Sequence, residues 1–133
     1  MSTKSIVLLD SSLTFLNITG VPKKAAGYFG STAGLHTIQI TIQDFVGRIY
    51  IECSLASNPT DTDWFPVQIT PSSVYLEFPV NPLAPSATHG DTACLGCIFN
   101  INAVWIRARV DRSYLINPDP SACGIVNRIL LNY

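Results

Sequence analysis

Charged residues are scarce in this sequence. Lys, Arg, Asp and Glu make up 13% of the chain, whereas about 25% is usual in a soluble domain. The 34 Ser, Thr, Asn and Gln residues are twice as numerous as the 17 charged ones. An uncharged polar surface loses its water at a lower cost than a charged one when it meets another protein. We therefore expect much of the surface to contact neighbouring subunits; the alternative is a soluble monomer of low charge.

The sequence also lacks a basic run and a long apolar segment. The longest run of Lys or Arg is the pair Lys23 and Lys24, and the net charge is −1, so phosphate neutralisation on a nucleic acid is not expected. The first apolar stretch, within residues 6–13, is too short for the core of a signal peptide. No segment approaches the roughly 18 apolar residues of a membrane span. We expect a chain made in the cytoplasm that binds neither nucleic acid nor a membrane.

Motifs for catalysis and phosphate binding are lacking as well. His36 and His89 lie near no recognisable nucleophile motif, and the glycines of residues 27–34 lack the strand-to-helix setting of a phosphate loop. Asp61 and Asp63 have a spacing that calcium ligands use, but no glycine-centred loop or downstream Glu accompanies them, which favours turn capping. We predict a protein that is not an enzyme, with no catalytic residues, metal site or cofactor.

Cysteine is present at four positions, and two of them form a Cys-x-x-Cys motif. Cys94 and Cys97 could supply one half of a zinc site, although a zinc ribbon uses two such pairs. Cys53 is in phase with apolar neighbours, where a thiol behaves as a small hydrophobic group. Free thiols in a reducing compartment are the preferred interpretation, and a zinc site or a disulfide are the alternatives.

The sequence does contain many short stretches in which apolar and polar residues alternate. In residues 36–43, Ile38, Ile40 and Ile42 alternate with Thr and Gln, which is typical of a strand with one buried face. Pro and Gly, 17 residues in all, punctuate these stretches. We predict a single all-β domain over residues 1–133: an antiparallel β-sandwich, jelly-roll or immunoglobulin-like, of about eight strands with long loops. The predicted strands cover residues 5–9, 13–17, 36–43, 48–55, 64–69, 74–78, 98–101, 104–110 and 125–132.

Two longer-range expectations follow from the turn signals. Asp44 and Gly47 bracket a short turn, so the strands before and after it are expected to form a hairpin. Residues 79–97 are rich in Pro, Ala and Ser, and we expect them, together with residues 18–35, to form extended arms that lie on a neighbouring surface.

One predicted strand carries a row of interface-type side chains. With Ile106 and Ala108 facing the core, Trp105, Arg107 and Arg109 face outward, where aromatic residues and Arg are frequent anchors of interfaces. The alternative for Trp105 is packing beneath a loop, and Trp64 is expected to close the end of the sandwich. The candidate interface residues are Trp105, Arg107, Arg109, Tyr50, Tyr28, Phe29, Leu83 and His89.

Three segments together resemble a known group of proteins. They are GRIYIECSLASNPTDTDWFPV at residues 47–67, FNINAVWIRARVDRSY at 99–114 and VNRILLNY at 126–133. They resemble small virion structural proteins of tailed bacteriophages, especially phages of marine cyanobacteria. In that group an alternating strand precedes a turn and an Asp-Trp pair, and a strand with Arg-Ala returns beside it. Cys53 stands where the group usually has Ala.

The resemblance, which residues 36–133 carry, implies a function in a virus particle. It implies a capsid decoration or cement protein, or a component of a neck, tail or fibre, with no catalytic residues to transfer. The implied partners are further copies of the chain and other virion proteins such as major capsid or tail proteins. The alternative is a carbohydrate- or receptor-binding module of a phage appendage that uses its exposed aromatic residues.

Overall fold

The computed structural model describes residues 5–13, 15–30, 33–80, 90–116, 118 and 123–133. In these residues the secondary structure consists of β-strands and one short 3₁₀ helix at Ala26–Phe29. The predicted all-β antiparallel sandwich is confirmed, with about ten strands rather than eight. The strands are β1 Ile6–Leu9, β2 Ile18–Thr19, β3 Lys23–Lys24, β4 Leu35–Phe45, β5 Gly47–Ser54, β6 Phe65–Pro66, β7 Leu76–Phe78, β8 Asp91–Asn100, β9 Trp105–Asp111 and β10 Ile125–Asn132.

The strands form two antiparallel sheets that pack against each other. The first sheet has the order β1-β10-β4-β8, and the second has the order β2-β9-β5-β6. The short strands β3 and β7 extend the second sheet beside β9 and β5, respectively. β8 therefore forms one edge of the first sheet, and the outer face of the second sheet is built mainly by β5 and β9.

Alternation along the long strands places one apolar row from each sheet in a common core. On β4, Ile38 and Ile40 are fully buried, and on β5 and β9 so are Ile49 and Ile106. Removing one such side chain from water contributes about 1.5–3 kcal/mol. Because the side-chain period of a strand is two, the residues between these core positions must face outward.

The predicted hairpin between β4 and β5 is wrong. β4 pairs with β10 and β8 in the first sheet, whereas β5 pairs with β9 in the second. The chain crosses from one sheet to the other at Val46, whose N–H donates to the carbonyl oxygen of Cys123 at 2.9 Å. Asp44, with φ of 49°, and Gly47, with φ of 153°, turn the backbone at this corner, so Phe45 and Ile49 both face the core.

The structure also differs from the expected strands and arms. The predicted strand at residues 13–17 is wrong for the described residues 13 and 15–17, where the Phe15 N–H donates to the carbonyl oxygen of Ser12 in a turn. The expected arm over residues 79–97 is wrong from Asp91 onward, because β8 begins there and pairs with β4. Residues 81–89 of this arm lie outside the described residues. Within the other expected arm, residues 18–35, β2 and β3 pair with β9, since their backbone groups satisfy that edge of the second sheet.

Candidate interaction face

The outer face of the second sheet carries polar and aromatic side chains from β5 and β9. The two strands are antiparallel, and their register places the outward residues directly opposite one another. Side chains in such pairs approach closely enough to interact. The facing pairs are Arg48 with Asp111, Tyr50 with Arg109, Glu52 with Arg107 and Ser54 with Trp105.

Glu52 lies at the centre of this face and binds two arginines. Arg107 donates from Nε to Oε1 at 2.9 Å, and Arg109 donates from Nε to Oε2 at 3.1 Å. Only 9% of the Glu52 side chain is exposed, against 16% for Arg107 and 30% for Arg109. A carboxylate withdrawn this far from water requires ionic partners, and the two guanidinium groups supply them.

Each arginine of the face also stacks on an aromatic ring. The guanidinium carbon of Arg107 lies 4.2 Å from the Trp64 ring centroid, and that of Arg109 lies 4.1 Å from the Tyr50 centroid. Such cation–π contacts hold the guanidinium plane in one orientation while its charge attracts the ring face. Trp64 therefore lies on the outer face under Arg107, and the expectation that it closes the end of the sandwich is wrong.

Arg48 organises the end of the face near Glu77. Its Nε donates to Glu77 Oε1 at 2.7 Å, and its guanidinium lies between the rings of Tyr75 and Tyr114, at 4.5 and 4.0 Å from their centroids. The hydrogen bond to Glu77 raises the pKa of Arg48. Burial, and then the negative charge of Glu77, raise the pKa of Tyr114 to about 12. The phenol therefore remains protonated at neutral pH.

Asp111 completes the charged row of β9. Burial on its own raises the pKa of Asp111, but hydrogen bonds from the Ser113 hydroxyl and N–H, at 2.6 and 2.8 Å, together with Arg109, outweigh that effect. The pKa of Asp111 consequently lies below its ordinary value. The carboxylate is charged at neutral pH and lies 3.5 Å from the Arg109 Nη1.

Trp105 begins a second, aromatic part of the face. Its indole Nε1 donates to the Ser57 carbonyl oxygen at 3.0 Å, and its ring meets the edge of Tyr28 with centroids 5.5 Å apart. Phe29 continues the cluster next to Tyr28 and is 64% exposed. Lys24 places its ammonium 4.5 Å from the Tyr28 ring centroid.

The structure thus brings six of the eight predicted interface residues to one side of the sandwich. Tyr50, Arg107 and Arg109 form the charged part, while Trp105, Tyr28 and Phe29 form the aromatic part. Leu83 and His89 lie outside the described residues. Sequence reasoning did not assign the acidic residues and several aromatic or basic residues that complete the face, although Glu52 is in phase with Tyr50 on the same strand. These residues are Glu52, Glu77, Asp111, Arg48, Trp64, Tyr75 and Tyr114.

The candidate metal motifs of the sequence do not converge in the structure. Cys94 and Cys97 lie three residues apart on β8, so their side chains point to opposite faces of the sheet. Asp63 accepts hydrogen bonds from the Thr60 N–H and hydroxyl in its own turn, which lowers the pKa of Asp63. Among the described residues, no three His, Cys, Asp or Glu side chains form a group that could hold a metal ion.

His36 has a place in the packing instead. It is fully buried, stacks on Phe99 with ring centroids 5.4 Å apart, and lies beside Tyr133. Its Nδ1 donates to the Gly34 carbonyl oxygen at 2.8 Å, which leaves Nε2 to accept from the Ala26 N–H at 3.4 Å. Nε2 therefore anchors the start of the 3₁₀ helix to β4, and Nδ1 binds the residue that precedes the strand.

Comparison of the chain with protein-family models, with curated proteins and with solved structures found no match. In the part of the chain that the structure describes, no helix is long and apolar enough to cross a membrane.

Proposed function

We propose that this chain is a non-enzymatic structural subunit of a virion, which oligomerises and docks on a phage capsid, as a decoration or cement protein, or on a neck or tail scaffold. The observation that carries the proposal is the ordered arginine–aromatic face on β5 and β9. Its partners are copies of the chain and other virion proteins such as major capsid or tail proteins. The resemblance of three sequence segments to phage structural proteins supports the same function.

The residue types of this face are those that contribute most to protein interfaces. Arg, Trp and Tyr are enriched among interface residues with large binding energies. Here the guanidinium groups of Arg107 and Arg109 are already held by Glu52 and by ring stacking. A partner that binds the face therefore does not have to order these long side chains, which lowers the entropic cost of association.

The face is also balanced in charge. Three arginines lie beside three carboxylates on or next to β5 and β9, and each arginine lies within 3.5 Å of at least one carboxylate oxygen. When another protein covers such a face, each buried charge keeps a partner of opposite sign. The cost of removing water is therefore smaller than for a face whose charges all have one sign. The charged residues are Arg48, Arg107, Arg109, Glu52, Glu77 and Asp111.

The rings in the charged part of the face give less support to the alternative of a carbohydrate-binding module. Sugar stacking requires an open aromatic face, whereas guanidinium groups already lie over Trp64, Tyr50 and Tyr114. The Trp105 indole N–H is already bonded to Ser57. A glycan array tests this alternative, because saturable binding that Trp105→Ala weakens would favour it over the structural function.

Quantitative mass spectrometry of purified virions from an infected culture that produces this chain tests the proposal. The chain should be present at fixed stoichiometry. Hundreds of copies per particle would indicate shell decoration, and about six or twelve, the multiplicities of closed rings, would indicate a tail or neck. Absence of the chain from purified virions would contradict the proposal.

A binding experiment then tests the face itself. Particles grown without the chain are mixed with purified wild-type or Arg109→Ala protein, and the bound fraction is measured by co-sedimentation. Arg109→Ala should weaken binding at least about tenfold if this face contains an interface hot spot. Arg128→Ala, which removes an exposed arginine from the opposite sheet, is the matched control and should bind as the wild type does.

A further inference from the structure

β8 is a long edge strand. It runs for ten residues, Asp91–Asn100, and pairs with β4 on one side. On the other side, no residue within the described ranges pairs with it. An edge of this kind presents a row of backbone N–H and C=O groups that can pair with a strand of another chain.

The other edges of the two sheets are protected against such pairing. β1 has only four residues and a register shift between Val7 and Leu9. β3 consists of Lys23 and Lys24, and β6 has two residues, one of which is Pro66. Short length, lysine, proline and bulges are the devices by which natural sheets prevent edge-to-edge association.

β8 has none of these devices over most of its length. Its sequence, DTACLGCIFN, contains no proline and no lysine, and its one charge is that of Asp91 at the start of the strand. The irregularity in its pairing with β4 falls between Asp91 and Ala93, so residues 93–100 form a regular ladder. Its outward residue Ile98 is 69% exposed.

The inner side chains of β8 give a second, independent indication. On the neighbouring strand, Ile38 and Ile40 are fully buried. On β8, by contrast, Leu95 and Cys97 face the core but are only half-buried, and Ala93 is exposed. The inner apolar row of β8 is therefore incompletely covered beside the free edge. A further strand at this edge would cover that row as well as satisfy the backbone.

We propose that β8 pairs with β8 of a second copy of this chain, antiparallel and about a twofold axis, so that the two first sheets form one continuous sheet. The inference rests on the proposed function, because it names one partner of the assembly and the surface that binds it. A second copy fits this edge because it offers the same half-buried Leu95 and Cys97 to cover those of the first copy. Charge favours the antiparallel orientation, which places the two Asp91 carboxylates at opposite ends of the seam, whereas parallel pairing would place them side by side.

The pleat of the sheet restricts the register of the pair. Directly opposite residues of antiparallel strands point to the same face, so the inner residues of one β8 must face inner residues of the other. This condition requires that a residue, and not the point midway between two residues, lies on the twofold axis. The overlap of the two ten-residue strands is longest when that residue is Leu95 or Gly96. With Gly96 on the axis, the half-buried Leu95 of one copy lies directly opposite Cys97 of the other. With Leu95 on the axis, the two Leu95 side chains face each other and Cys97 lies opposite Ala93.

Gly96→Lys tests the pairing with little effect on the monomer. A Cβ atom added at Gly96 would meet only the Ile38 carbonyl oxygen, at an ordinary 3.7 Å, and the position is exposed. In the dimer, however, the two new lysines lie at or next to the axis, and like charges across strands are destabilising. The matched control is Gln39→Lys, because Gln39 lies directly opposite Gly96 on β4, is exposed on the same face, and is one strand further from the seam.

Sedimentation equilibrium of the full-length chain provides the measurement, and circular dichroism checks that each variant is folded. The wild type and Gln39→Lys should dimerise with similar dissociation constants, and Gly96→Lys should raise the constant at least about tenfold. Ile98→Lys, at a side chain already exposed to solvent, serves in place of Gly96→Lys should that variant fail to fold. Hydrogen exchange should show amides in residues 92–100 that become protected as the protein concentration rises through the dissociation constant.

Three results would overturn the inference. One is a dimer whose dissociation constant Gly96→Lys leaves unchanged. Another is a dimer that Gly96→Lys and Gln39→Lys weaken equally, because the contact would then lie on the face of the sheet rather than at its edge. The third is a wild-type chain that stays monomeric at all concentrations. Slow hydrogen exchange of the amides in residues 92–100 would then show that the chain covers this edge itself. Fast exchange would show that the edge is free for a different partner. The virion measurement is separate: a monomeric chain found in virions would overturn this inference alone, and a dimer absent from virions would overturn only the proposed function.

Discussion

Glu52 and Arg107 face each other across β5 and β9 and form an ion pair that is largely withdrawn from solvent, with 2.9 Å between the Arg107 Nε and Glu52 Oε1. The same carboxylate reaches the diagonal neighbour Arg109 through its second oxygen. One acidic residue therefore fixes two guanidinium groups on the outer face of the second sheet.

Replacing Glu52 should accordingly destabilise the fold. Glu52→Gln keeps the size of the side chain but removes the counter-charge of Arg107 and leaves Arg109 with Asp111 alone, at 3.5 Å. We expect a loss of about 1–3 kcal/mol in the free energy of unfolding. Urea denaturation followed by circular dichroism measures the loss. Glu77→Gln is the control, since Glu77 is exposed and pairs with one arginine, and it should cost less than about 1 kcal/mol. Equal losses for the two variants would contradict the central position given to Glu52.

The strand alternation predicted that Tyr50 on β5 and Arg107 and Arg109 on β9 point away from the core, and the burial pattern of the two strands agrees. It did not identify the other members of the face or how the side chains pair. The register between the two strands depends on packing between segments about fifty residues apart, and no local pattern encodes it. The pairing of Glu52 with Arg107 could therefore not be read from the sequence.

The errors in the fold have a similar physical origin. A turn between Asp44 and Gly47 is compatible with a hairpin within one sheet and with a crossing between two sheets, because both keep the flanking apolar rows toward the core. Most of β8 escaped prediction because its sequence is poor in β-branched residues, which local propensity weighs heavily. Its pairing with β4 in the folded chain overrides that preference.

Asp111 should make stability depend on pH in the acid range. Its pKa in the folded chain lies below the ordinary 3.8, so it contributes stability that is present above pH 3.8 and is lost as the pH falls through the folded-state pKa. Asp111→Asn removes this contribution. The difference in urea midpoint between wild type and Asp111→Asn should therefore be constant near neutral pH and shrink below pH 3.8. A difference that grows as the pH falls would contradict the lowered pKa.

The thiols should react at very different rates. Cys94 is exposed, Cys97 is half-buried with a pKa that burial raises, and burial raises the pKa of the fully buried Cys53 to about 12. At pH 8 such a thiol is ionised in about one molecule in ten thousand. Maleimide labelling followed by peptide mass spectrometry should modify Cys94 first, Cys97 more slowly and Cys53 only after unfolding in urea. Labelling of Cys53 in the folded chain as fast as Cys94 would contradict this order.

Gly47 should be intolerant of a side chain, because the crossing between the sheets packs closely around it. A Cβ atom at this position would lie 2.8 Å from Arg112 Cγ and 2.9 Å from Phe45 Cζ, and the backbone φ of 153° disfavours any other residue. Arg112 cannot easily move away, because it is fully buried and donates to the carbonyl oxygens of Phe15 and Gly124 at 3.1 and 2.8 Å.

Gly47→Ala should therefore lower the free energy of unfolding by about 1–3 kcal/mol, as expected for overpacking in a core. The control is Gly96→Ala on β8, where the new methyl group has room, and its effect should stay within about 0.5 kcal/mol. Urea denaturation of both variants at one protein concentration compares them directly. If Gly47→Ala proves as stable as Gly96→Ala, then the corner between β4 and β5 is not held by Arg112 and Phe45 in the way described, and the two sheets must be free to adjust at this point.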